Sequence, residues 1–103
     1  MAGKSSKNTG ALALDADLRI GAAPTLRDAL LSALSAGKPV ALDGSAVNQI
    51  DAAGLQVLAA FSRDARAAGL TVSWSGASDS LHRGVAVLGL NELIELPARA
   101  GTN

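Results

Sequence analysis

The stretch Val40-Ala-Leu-Asp-Gly-Ser-Ala-Val-Asn-Gln-Ile50-Asp51-Ala-Ala-Gly-Leu55 decides how the rest of the chain is read. It opens with Val40-Ala41-Leu42, a short apolar run of the kind that parallel sheets bury. Asp43-Gly44-Ser45 then stops the strand with turn chemistry. A loop through Asn48 and Gln49 leads to Ile50-Asp51, and the Asp51 carboxylate is placed to accept from backbone N–H groups of a helix that starts beside it. That helix is predicted from about Ala52 to Ala68. Leu55, Leu58, Ala59, Ser62 and Ala65 form its buried stripe, Gln56, Arg63 and Ala67 its outer side, and Gly69 its end.

Toward the C-terminus, Leu70 to Ser75 alternates with the period of a half-buried strand. Ser78 or Asp79 caps a third helix with Leu81, Val85 and Leu88 on one face, and Gly89 ends it. Leu93 to Leu96 reads as a last strand. Toward the N-terminus, Pro24 suits the first turn of a helix, where its missing N–H costs nothing. Leu26, Ala29, Leu30, Ala33 and Leu34 follow on one face before Gly37 and Pro39. Ahead of it, Ala11–Leu14 and Leu18–Ile20 flank Asp15-Ala16-Asp17 and read as a small hairpin. The order β-β-α-β-α-β-α-β predicts an α/β domain, a mixed and largely parallel sheet with helices packed on it. The domain is expected over 11–97, between polar tails at 1–10 and 98–103.

The composition narrows the function. The 103 residues suit one domain, and 49% are apolar, with a single Trp, a single Phe and no Tyr, so Leu, Val, Ile and Ala must build the core. Nine basic residues balance nine acidic ones. That argues against nucleic acid as a partner, since phosphate contacts need a cationic surplus and base stacking needs aromatics. The absence of cysteine excludes disulfides, thiolate catalysis and zinc–thiolate sites. No apolar run approaches the roughly 20 residues that span a bilayer. Residues 1–10 lack the apolar segment of a signal peptide, so a cytoplasmic location without membrane insertion is expected.

Three features coincide: the strand and loop Val40–Ile50, the helix start Asp51-Ala-Ala-Gly-Leu55, and Gly89-Leu90 within Val87-Leu-Gly-Leu-Asn-Glu-Leu-Ile94. Together they resemble the STAS family, the domain shared by sulfate transporters and bacterial anti-sigma factor antagonists, over roughly Ala11 to Leu96. The resemblance implies a non-catalytic protein–protein interaction module of bacterial signalling. Its partner would be an anti-sigma or kinase-type protein, or a chemotaxis protein, and no cofactor is implied. In the switching members a Ser or Thr just after the motif Asp is phosphorylated, which ends binding by adding about −1.5 to −2 charges to the covered surface. Here those positions are Ala52 and Ala53, so no phosphorylation is expected at the family position.

What remains is the docking surface itself. The expected partner-binding residues are Ser45, Asn48, Gln49, Asp51, Ala52, Ala53, Gly54 and Gln56. The bland reading stands beside it: Asp51 only a cap, the two alanines only good helix formers. Two rivals stay open. One is a permanent subunit of a lipid-transport ABC complex, bound to its ATPase. The other is a small-ligand or nucleotide-binding domain at an edge formed by Asp43 and Asp51. Against the second, no Gly-rich phosphate loop is present, and no Lys follows Lys38 to complete a phospho-receiver site. No metal site is expected, and Asp43 reads as the acceptor of its own turn. His82, the only histidine, has no nucleophile to serve and is expected to face solvent. Trp74 is expected to pack on the core beside Leu70 and Val72. The sequence leaves the oligomeric state open.

Overall fold

A computed structural model describes residues 11–98. The tails expected at 1–10 and 98–103 lie outside the described residues, Ala98 excepted. Five strands, a 3₁₀ turn and three helices follow one another: β1 (Leu12–Ala13), β2 (Asp17–Leu18), the turn Ile20–Ala22, α1 (Ala23–Ser35), β3 (Val40–Gly44), β4 (Gln49–Ile50), α2 (Ala52–Ala67), β5 (Val72–Ala77) and α3 (Asp79–Val87). The α/β class and the three helices stand as the sequence predicts.

β3 is the centre. It pairs in parallel with β1 on one side, Leu12 opposite Leu42, and with β5 on the other, Val40 opposite Val72 and Leu42 opposite Trp74. Its Val40, Leu42 and Gly44 are buried, as the apolar run requires. β2 and β4 form a separate two-stranded parallel ladder, Leu18 opposite Ile50. The helices bury most of the stripes their periodicity marks: Leu26 and Leu30 from α1, Leu55, Leu58, Ser62 and Ala65 from α2, Leu81 and Val85 from α3, whereas Leu88 is exposed. Ala59 is only half-buried, whereas Phe61, outside the predicted stripe, is buried.

Helix ends follow the residues that mark them. Pro24 sits in the first turn of α1. Each helix runs out into a glycine with positive φ, at Gly37, Gly69 and Gly89. After α2 and α3 the next N–H folds back onto the helix, from Leu70 to the Ala65 carbonyl and from Leu90 to the Val85 carbonyl, both at 2.9 Å.

Three expectations are corrected. The hairpin at 11–20 does not form. Its two strands each pair in parallel with a later segment, and the Ala16 carbonyl accepts from the N–H groups of Asn48 and Gln49 at 2.9 and 3.0 Å. The turn residues 15–17 therefore move the chain from one ladder to the other, with Leu14 and Leu18 buried on either side. The segment Asn48–Ile50, read as loop, contains β4 for the same reason. Leu93–Leu96 is not a strand: Ile94 donates its N–H to the Leu90 carbonyl at 2.8 Å and its side chain, 1% exposed, plugs the core from a turn. An apolar run can satisfy burial without joining a ladder.

Candidate functional site

The junction of β4 with α2 is built around Asp51. Its Oδ1 accepts from the Gly54 N–H at 3.1 Å, capping α2, and its Oδ2 accepts from the Ile20 N–H at 2.9 Å. One carboxylate thus fastens the 3₁₀ turn to the helix start. Gly54 completes the junction. A Cβ there would collide with the Leu18 carbonyl oxygen, so β2 can lie against the first turn of α2 only because residue 54 has no side chain. Leu55, next in line, is buried in the core. The Asp-x-x-Gly-Leu spacing is therefore the geometry of a strand pressed onto a capped helix.

A shallow groove of about 340 Å³ runs between this junction and α3. Asn48, Gln49, Ile50 and Ala52 form one wall, and Ser80, Arg83, Val87 and Leu88 the other. Gly84 brings the walls together, since a Cβ there would stand 2.9 Å from Leu55 Cδ1. The Ser80 hydroxyl donates to the Asn48 carbonyl at 3.3 Å and ties the loop to α3. Val87 is 76% exposed and Leu88 41%, two large apolar side chains open to solvent at the groove edge. Ala52 is exposed beside them.

Of the eight residues expected at a docking surface, Asn48, Gln49, Asp51 and Ala52 are brought together in this groove. Ala53 is half-buried behind Ala52, and Gly54 is buried, so it shapes the surface from beneath. Ser45 sits apart, its N–H and hydroxyl both donating to Asp43 Oδ1 at 3.0 and 2.7 Å. Gln56 lines a different groove, on the α1 side of α2. The α3 wall was missed because Leu88 reads as a core position at helical spacing. The helix ends at Val87, however, and Gly89 turns the chain, which leaves Leu88 outside.

The other candidates are resolved individually. The Asp43 carboxylate serves its own turn and Asp51 its cap, and the described residues hold no cluster of three or more metal-ligating His, Asp or Glu side chains. His82 does not face solvent: it is half-buried, and its Nε2 is enclosed without a hydrogen-bond partner among the described residues. It follows Leu81 on the flank of the stripe that α3 presents to the core. Trp74 packs partly against the core, with its ring over Gly44. At the far side of the junction, the exposed Asp17 and Arg19 form an ion pair of 2.8 Å. The Arg19 guanidinium holds the Asp17 carboxyl down to about 2.

Fold and junction together define a small parallel α/β domain with a capped helix start and an open groove beside it. A family model described as "Mlab, STAS domain" matches residues 1–95, and the chain belongs to the STAS family. No curated protein matches it. STAS domains are typically non-catalytic modules that mediate protein–protein interaction. Among the described residues no helix is long and apolar enough to cross a membrane.

Proposed function

We propose that this domain is a non-catalytic docking module of bacterial signalling whose partner covers the α2–α3 groove, and that the contact is not switched by phosphorylation at the helix start. The observation that carries the reading is the exposed, hydroxyl-free Ala52 set beside the exposed Val87 and Leu88. Small residues at a helix start let a partner backbone come close, and the two apolar side chains offer the desolvated contact area that fixes affinity. Asn48, Gln49 and Arg83 supply the polar rim. The partner is a kinase-type anti-sigma protein or a chemotaxis protein.

Ala52→Glu tests the surface. A carboxylate in the first turn favours the helix by about 0.3–1 kcal/mol, so folding is kept, while the groove gains a charge that a close interface must desolvate. Co-purification with the partner should be lost while the circular dichroism melt is unchanged or a few degrees higher. Intact-mass measurement after incubation with the neighbouring kinase and ATP should show no added phosphate on the junction. A stoichiometric phosphate on Ser45 or Ser80 would contradict the unswitched contact.

A second reading, a permanent subunit of a lipid-transport ABC complex, draws support from the same missing hydroxyl, which suits a contact that is never released. The two readings separate on what co-purifies through the groove: an ABC ATPase, or a kinase or chemotaxis protein. Transporter genes beside this one favour the second reading, sigma-factor or chemotaxis genes the first.

A further inference from the structure

We propose that the groove between α1 and α2 seats a second copy of this chain in a two-fold symmetric dimer. The groove, about 320 Å³, is floored by Leu30, Leu34, Val57 and Phe61, and Leu31 stands at its lip, 42% exposed. Its only charged lining residues are Arg27 and Asp64. Neither has an ion-pair partner among the described residues.

The placement of these two charges identifies the occupant. Both helices run back from the ends of parallel strands, so they lie side by side in the same direction. Arg27 is in the first turns of α1 and Asp64 in the last turns of α2. They therefore mark opposite ends of the groove, about 10 Å apart at 1.5 Å per residue. A two-fold axis through its middle reverses one copy against the other. In an isologous interface, if residue i of one copy touches residue j of the other, j also touches i. Each Arg27 then faces the other copy's Asp64, and the two Leu31 side chains meet near the axis. The surface carries its own charge complement around an apolar centre. The zero net charge of the chain adds no overall repulsion between copies.

This surface is distinct from the proposed docking groove. Gln56 and Val57 face it, whereas Ala52 and Leu55 face α3. Dimerisation leaves the α2–α3 groove open, so either assignment can fail without the other.

Sedimentation equilibrium of the full chain over a concentration series tests it. The wild-type mass should rise toward twice the monomer with concentration. Leu31→Glu, Arg27→Glu and Asp64→Arg should each weaken self-association by about tenfold or more. The double variant R27E/D64R, which swaps the pair, should restore it to within a fewfold of wild type. All three positions are exposed, and unchanged far-ultraviolet circular dichroism establishes that the variants are folded. A wild-type chain that stays monomeric up to about 1 mM, the range where a dimer of millimolar Kd is visible, overturns the proposal. So does a folded L31E variant that dimerises like wild type, or a double swap as weak as the single ones.

Discussion

Asp51 and Gly54 hold the junction by opposite means, one through hydrogen bonds and the other through the absence of a side chain. Gly54→Ala isolates the second. Helix propensity alone favours alanine by up to about 1 kcal/mol, but the added Cβ meets a backbone carbonyl that cannot rotate away. The net cost should be about 2–4 kcal/mol in urea unfolding, and a neutral or stabilising result would refute the close approach. Asp51→Ala removes two backbone partners at once and should cost about 2–3 kcal/mol. The Asp17–Arg19 pair makes a statement about pH. Its carboxyl is lowered in the folded chain from 3.8 to about 2, first by the Arg19 side-chain hydrogen bond. A depressed folded value means the pair supports the fold fully above about pH 4 and loses that support as pH falls toward 2. An NMR titration of the Asp17 side chain should show a midpoint near 2, moving up with added salt because the pair is exposed. A midpoint near 4 at low salt would show that the pair does not persist in solution.

At the scale of elements, α3 matters most, since it forms one wall of the groove and is held largely by Leu81 and Val85. Leu81 is wholly buried, close to the position a Cβ on Gly44 would take. Leu81→Ala should cost about 2–5 kcal/mol, and hydrogen exchange should quicken in α3 before it does in α2. Equal protection of the two helices in that variant would contradict the view that Leu81 anchors α3. The helices were legible because their signals are local: Pro24 at a start, Asp51 and Ser78 as caps, glycines at the ends. The first two strands were not, because Leu12–Ala13 and Asp17–Leu18 are too short to show a period, and their partners lie some 30 residues ahead. Ile94 misled in the other direction, since a single buried side chain in an apolar run looks the same from a strand or from a turn. Half of the candidate site was likewise visible. The wall from Asn48 to Ala52 follows from the capped helix start, whereas Val87 and Leu88 join it only through tertiary placement.

For the whole molecule, one helix divides the surface. The α1 flank of α2 carries the self-complementary groove, and the α3 flank carries the groove proposed for the partner. The domain needs no moving part for either role. Its groove walls are tied by the Ser80–Asn48 bond and the Gly84–Leu55 contact, so binding there requires little ordering of the chain. The most direct test is site-specific photo-crosslinking in the native host, with the photoreactive residue at position 52, at 87, or at the exposed position 38 remote from the groove. A discrete heterologous protein adduct is expected from positions 52 and 87 and none from 38. No adduct from 52 or 87, with a strong one from 38, would contradict the proposed docking groove.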